Sequence, residues 1–366
     1  MSNLKEVVDA PLKGRIKTLE SQVAELKDKL SNAKSQVDLD KVHLQAKVTS
    51  LVGQVTKYAK AEGQIKEYMA DILVAVQALD PLPKVQWRKP KVSKTPMTAV
   101  LHLTDWHIGE VINPKEVEHI NRFDWQTAQD RVLGQLLPRF KAWLDTQRSG
   151  YDIPKIMVVA TGDFVSGDIH DELLRTNEFP LPEQTAKAGD LLGKAILELV
   201  PHCAELEVVE IGADNHSRLV RKPQAKQKYA NSMSKLVFHI ANQVLSRSGA
   251  VITEAEGMKL LFDINGIPFL GEHGDTVKSW MGVPWYGMER EVAREATRRM
   301  FNNRGFKHII LGHWHVPFFG KYIVGGSLSG TSEYDHSCGR QSSAAQTAFL
   351  VGKRGAFGFV PFDDLR

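Results

Sequence analysis

"LHLTDWHIG" (residues 101–109) opens as an apolar run of strand length and closes on an aspartate and a histidine one residue apart, Asp105 and His107. The apolar part predicts a buried β-strand, and the polar tip stands where a strand emerges from the core. The same grammar recurs along the chain. "KIMVVATGDFVSG" (155–167) reaches Asp163, and "LEVVEIGADNHSR" (206–218) reaches Asp214, Asn215 and His216. "IPFLGEHGD" (267–275) reaches His273, and "HIILGHWH" (308–315) ends on His313 and His315.

At one strand end such residues are ordinary turn formers and hydrogen-bond acceptors. Five strand ends behaving alike would need that accident to recur independently. In an open α/β sheet the carboxyl ends of the strands line one crevice, so side chains far apart in sequence converge there. Helical stretches near 124–147, 184–200, 225–246 and 288–304 separate the early strands, whereas "KYIVGGS" (321–327), "QTAFLV" (346–351) and "FGFVPF" (357–362) follow one another without helices. The pattern predicts a layered α/β domain with a mixed sheet or a pair of packed sheets.

Oxygen and imidazole donors without thiolate suit borderline to hard divalent ions, with Mn the expected ion and Fe and Zn the alternatives, and do not suit a cysteine-type structural zinc. Two ions roughly 3.5 to 4 Å apart need a bridging carboxylate and clamp the attacking and leaving oxygens at phosphorus. The seven donor-type residues suffice for two open sites, and Gly162, Gly212, Gly271 and Gly312 flank them where the backbone must turn sharply or come close.

The order D-x-H, G-D, N-H, H, G-H-x-H over about residues 98–330 resembles the calcineurin-like metallophosphoesterase superfamily, and "LHLTDWHIG" is similar to the first motif of its DNA-repair nuclease branch of the Mre11 and SbcD type. The resemblance implies an α-β-β-α sandwich in which Asp105, His107 and His315 hold one ion, Asn215, His273 and His313 hold the other, and Asp163 bridges them. It further implies a hydroxide between the ions as nucleophile and His216 as the proton donor to the leaving oxygen. The family usually writes its third block G-N-H-D or G-N-H-E, and here Ser217 stands in place of the acid. Asp214 is therefore expected as the substitute support for His216, and Arg218 as a contact to the substrate phosphate. His170, in "SGDIHDE", matches a histidine that assists catalysis in the nuclease branch, with a loop cap as its plainer reading. Lys278, Trp280, Trp285 and Tyr286 suggest a stacking rim for nucleotides, against the commoner fate of tryptophans in a core, and "GTSEYDHSCGR" (330–340) suggests a mobile loop over the site.

Ahead of this domain, residues 12–80 carry apolar residues at alternating steps of three and four: Ile16, Leu19, Val23, Leu26, Leu30, Ala33 and Val37. The stripe slips near "DLDK" (38–41) and resumes at Leu44, Val48, Leu51, Val55 and Tyr58, then from Ile65 to Leu79. That is a coiled-coil seam with a stutter, which predicts a homo-oligomer, with a break at Gly63 as the alternative. Residues 81–97 follow as a proline-rich linker bearing Lys84, Arg88, Lys89, Lys91 and Lys94, so the expected division is 1–80 coiled-coil helix, 81–97 linker and 98–366 catalytic domain.

The balance of 47 basic and 43 acidic residues over 366 does not imply a strong nucleic-acid field across the whole surface and leaves room for a local basic patch. Two cysteines outside any pairing motif, and no apolar run approaching the roughly 20 residues a membrane span needs, point to a reducing, cytoplasmic setting without membrane contact. The expected activity is a dinuclear-metal-dependent phosphodiesterase on nucleic acid, DNA above all. The alternatives are a phosphomonoesterase, a small-nucleotide phosphodiesterase, or a scaffold with a vestigial phosphoesterase domain. Nuclease relatives work with a separate ATPase, and this chain has no G-x-x-x-x-G-K-[ST] phosphate loop of its own.

Overall fold

The computed structural model describes residues 2–32, 38–77, 95–279 and 283–365. The seam positions Ala33 and Val37, nearly all of the proline-rich linker and Trp280 lie outside them. The chain divides into two units, Met1–Val74 and Ala75–Arg366.

In the first, α1 (Ser2–Asn32) and α2 (Asp38–Gln77) are uninterrupted helices. Gly63 lies inside α2 and does not break it, because one glycine costs a helix only about 1 kcal/mol relative to alanine. Among residues 13–29 the side chains screened from solvent are Ile16, Leu19, Val23 and Leu26, and in α2 they include Leu44, Val48, Leu51 and Val55. These are the positions of the three-and-four stripe.

The second unit runs β1 (Pro96–Leu103), α3 (Trp125–Gln129), α4 (Leu137–Arg148), β2 (Asp152–Ala160), α5 (Leu173–Thr176), α6 (Leu181–Leu197), β3 (Glu205–Glu210), α7 (Ser234–Leu245), β4 (Val251–Glu254), β5 (Lys259–Ile264), β6 (Ile267–Glu272), α8 (Pro284–Met300), β7 (His308–Leu311), β8 (Tyr322–Val324), α9 (Glu333–Ser337), β9 (Gln346–Gly352) and β10 (Gly355–Phe362). A π-helical segment, Asp130–Leu136, joins α3 to α4. One sheet has the order β10-β9-β1-β2-β3-β4, and the other β5-β6-β7-β8. β1 to β4 are mutually parallel, as are β6, β7 and β8, so the carboxyl ends of β1, β2 and β3 share one edge of the first sheet and those of β6 and β7 one edge of the second.

Alternation along the strands builds the layers. In β7, Ile310 faces the core shared with Val100, Val159 and Val209 of the first sheet, while Ile309 and Leu311 face Met288 and Val292 of α8. The two sheets thus pack face to face, and α8 covers the outer face of the second.

Two differences from the sequence reading have local causes. The helix expected over 225–246 starts at Ser234, because residues upstream are held by tertiary bonds instead: Tyr229 donates to Glu254 (2.5 Å) and the Met233 amide to Ser217 O (2.7 Å). Of the β5–β6 hairpin only β6 was expected; β5 escaped the strand pattern, since residues 259–262 are only partly buried, and its signal is Asn265-Gly266, both at positive φ (56° and 82°) as a type I′ turn requires.

Candidate metal centre

The strand tips bring Asp105, His107, Asp163, Asn215, His273, His313 and His315 together. Main-chain bonds fix the tips to each other: Asp105 N donates to Gly162 O, His107 N to Asp163 O, and Gly312 N to His273 O, at 3.0, 3.0 and 2.9 Å. A Cβ on Gly312 would lie 2.1 Å from Thr104 Oγ1 and 2.3 Å from Asp105 Oδ2, so only glycine lets these tips approach. Five of the seven residues have left-handed backbone: Asp105, His107, Asp163, His313 and His315 lie between φ 50° and 66°. Such conformations cost about 1 kcal/mol or more apiece in a residue bearing a Cβ, and they gather where function over-determines the backbone.

Donor atoms converge in three overlapping groups, each within 4.8 Å: Asp105, His107 and His315; His107, Asp163 and His216; Asp163, His273 and His313. His107 Nε2 lies 3.3 Å from His315 Nε2, which is 3.4 Å from Asp105 Oδ1. His273 Nε2 lies 3.0 Å from both Asp163 Oδ2 and Asn215 Oδ1. Outer bonds aim these atoms. His273 Nδ1 donates to Thr161 O (2.8 Å), which directs its Nε2 inward, and Asp105 Oδ2 accepts from Thr104 Oγ1 (2.6 Å) and the His313 amide (2.9 Å), which leaves Oδ1 toward the imidazoles.

The electrostatics match the chemistry of the donor set. Burial alone would raise both aspartates, yet His315 holds Asp105, and His273 holds Asp163, well below the usual carboxylate range. Burial, with His216 and His273 respectively nearby, pushes His107 well down and His313 to about 4, so both imidazoles are neutral and free to coordinate. At His273 burial works the same way, but Asp163 overcomes it and raises the ring to about 10. Among the described residues no lysine or arginine pairs with Asp105 or Asp163. Two buried carboxylates ringed by imidazoles and one amide oxygen fit divalent cations.

The other expected residues fall differently. His216 faces the centre, its ring 4.5 Å from that of His107, its amide donating to Asp163 Oδ1 (2.9 Å) and its Nδ1 to Ser166 O (2.7 Å). A main-chain carbonyl therefore orients this imidazole, and Asp214 does not. Asp214 instead accepts from the Asp163 amide (3.1 Å), the Ser217 amide and hydroxyl, and Ser234 Oγ (2.5 Å), so it props the loop that carries the central aspartate. The guanidinium of Arg218 donates to the main-chain carbonyls of Asn215, Val220 and Arg221. His170 is exposed, 6.4 Å ring to ring from His216.

The residues of the expected stacking rim divide. Trp285 packs between Phe318 and Tyr322 under α8, because its neighbours on that helix face the second sheet, whereas Lys278 and Tyr286 are exposed. The 330–340 segment contains α9, closed by a capping box between Ser332 and Asp335 and tied down by Glu333, which accepts from the Asn113 amide (2.6 Å). Sequence reading passed over Glu110, which directly follows "DWHIG"; burial raises its carboxyl to about 7, against His216 and His315 nearby.

No family model matches the chain, and no curated protein matches it. Among solved structures, Vps29 of Entamoeba histolytica, solved in complex with zinc, is 15% identical over 72% of this chain and 99% of its own, with a TM-score of 0.26. A conserved uncharacterized protein of Streptococcus pneumoniae, described as a predicted phosphoesterase, is 10% identical over 75% and 99% (TM-score 0.24). Vacuolar protein sorting 29 of Cryptosporidium parvum is 12% identical over 73% and 99% (TM-score 0.29). Superposition at this level carries no argument about activity.

Proposed function

We propose that this chain is a calcineurin-like metallophosphoesterase that hydrolyses nucleic-acid phosphodiester bonds, DNA above all, with two divalent ions, Mn first and Fe or Zn as alternatives. The observation that carries the reading is the convergence of seven oxygen and imidazole donors from five strand tips, five of them on left-handed backbone, around two carboxylates with no lysine or arginine partner among the described residues. Asp105, His107 and His315 would hold one ion, Asn215, His273 and His313 the other, and Asp163 both.

When bound, such ions supply positive charge to the phosphate oxygens and acidify water. The remaining work belongs to the protein's own groups. With Nδ1–H committed to Ser166 O, His216 presents Nε2 to the crevice, the position from which a protonated imidazole gives its proton to the departing oxygen. Asp214, through the Asp163 amide, keeps the central carboxylate in place. Nucleic acid is favoured over a small ester by the likeness of "LHLTDWHIG" to a nuclease motif. The stripe of residues 12–80 makes the chain a homo-oligomer, and free Cys203 and Cys338 accord with work in the cytoplasm.

The test is cleavage of plasmid and oligonucleotides with Mn²⁺, with EDTA, and by Asp163→Asn. Cleavage lost under the last two conditions is expected. Intact DNA and RNA beside rapid hydrolysis of p-nitrophenyl phosphate would replace the nuclease reading with a phosphomonoesterase.

A further inference from the structure

Between His216 and α7 the chain makes an excursion whose charge is one-sided. Arg218, Arg221, Lys222, Lys226 and Lys228 lie within it, and no acidic residue occurs from Asn215 to Thr253. Leu219 to Gln227 are all exposed. The ordinary fate of such a run is a solvated face, and two features distinguish this one.

First, the excursion is tied at both ends to the metal centre. Arg218 gathers the carbonyls of Asn215, Val220 and Arg221 at 3.0, 2.9 and 2.9 Å, so the turn that leaves His216 is drawn in by its own guanidinium. At the far end Lys228 Nζ reaches both oxygens of Asp275 at 2.6 Å, with the two side chains only 10% and 16% exposed, and Asp275 lies two residues beyond His273. The anchors Arg218, Lys228 and Asp275 close a small cleft with Val220, Pro223 and Gln224, and outside it Arg221, Lys222 and Lys226 are exposed cations on the same excursion. Second, apart from Asp171, which pairs with Arg221 at the exposed surface (2.5 Å), charge of the opposite sign gathers elsewhere around the centre. Glu110 feels Glu333 and Asp335, and Asp335 in turn acts on His315.

We infer that the 218–228 excursion is the arm that holds the phosphates flanking the scissile bond, so that one nucleic-acid strand runs from the metal centre along Arg221, Lys222 and Lys226. This rests on the phosphodiesterase reading and deepens it: the ions select the phosphorus, and the arm selects a polymer over a small diester. A small ester does not reach the arm, whereas a strand places successive phosphates along it, and each such contact adds to the salt dependence of binding.

The test uses the full chain with Arg221→Gln, Lys222→Gln and Lys226→Gln combined, all exposed positions where folding is not at stake. Against bis(p-nitrophenyl) phosphate with Mn²⁺ the variant should match wild type within about twofold, while kcat/KM for a single-stranded oligonucleotide of about 30 nucleotides should fall at least tenfold through KM. The log–log salt slope should flatten by about 2, since roughly 0.7 of a counterion is released per single-strand phosphate contact. Equal loss on both substrates, or no loss on either, would overturn the inference. Should wild type hydrolyse the dye diester and spare the oligonucleotide, the nuclease reading falls by itself. Polarisation of a labelled oligonucleotide in EDTA then decides the arm separately: binding weakened about tenfold by the three substitutions supports it, and binding unchanged, or absent in wild type, refutes it.

Discussion

Strand β6 ends between two buried acidic clusters, and they are neutralised in different ways. Glu272, its last residue, joins Glu291 and Glu295 of α8 around Lys259 of β5, at 2.9, 2.5 and 3.2 Å from the ammonium. One residue further on, His273 enters the cluster of Asp105 and Asp163, whose ion-pair partners among the described residues are all imidazoles. A buried carboxylate must be paired. The first cluster is paired with lysine and arginine of the chain itself, and the second, on the proposed reading, takes its cations from solution, which distinguishes a structural knot from a site.

The sharpest test of that contrast is removal of the central carboxylate. Asp163→Asn should lower turnover of bis(p-nitrophenyl) phosphate by at least about a thousandfold and halve the bound metal or worse, read by elemental analysis of protein purified without chelator. Lys259→Met should do the reverse: about 3–5 kcal/mol of stability lost in urea unfolding, because Glu272 then lies buried without a cation while Glu291 and Glu295 keep only Arg294, Arg298 and Arg299, with metal stoichiometry intact. Equal metal loss in both variants would erase the distinction between the clusters. His216→Gln should cost about a hundredfold or more in turnover and leave metal content unchanged, which separates proton donation from coordination.

Smaller effects refine the picture. Saturating Mn²⁺ at about 100 times its Kd should stabilise wild type by about 2.7 kcal/mol in thermal unfolding, an increment that Asp163→Asn should lack. Metal affinity should rise with pH between 6 and 9. With the His273 ring raised to about 10 by Asp163 against burial, coordination must expel its proton, and that expulsion becomes easier as protons grow scarce. Isothermal titration in buffers of different ionisation enthalpy counts the released proton, and a pH-independent Kd would show that His273 does not coordinate.

The donors were legible because each terminates an apolar run, and strand ends converge by topology alone. The helix-poor late strands left a mixed sheet and a pair of packed sheets both open, and the structure has the pair. What escaped notice depends on contacts between distant residues. Nothing local says that Arg218 turns back onto three carbonyls, that Ser166 rather than Asp214 orients His216, or that Trp285 lies against Phe318. Glu110 and the Asn265-Gly266 turn were written in the sequence, the first hidden by proximity to a louder motif and the second by a hairpin too weakly alternating to draw the eye.

The left-handed backbone at Asp105, His107, Asp163, His313 and His315 has an evolutionary reading. Residues with a Cβ rest uneasily there, and glycine or asparagine would relax them. On the proposed reading, a descendant freed from catalysis should therefore drift toward those two residues at these five positions and grow more heat-tolerant as it does, so a sturdier but inert homologue is the fossil this geometry foretells.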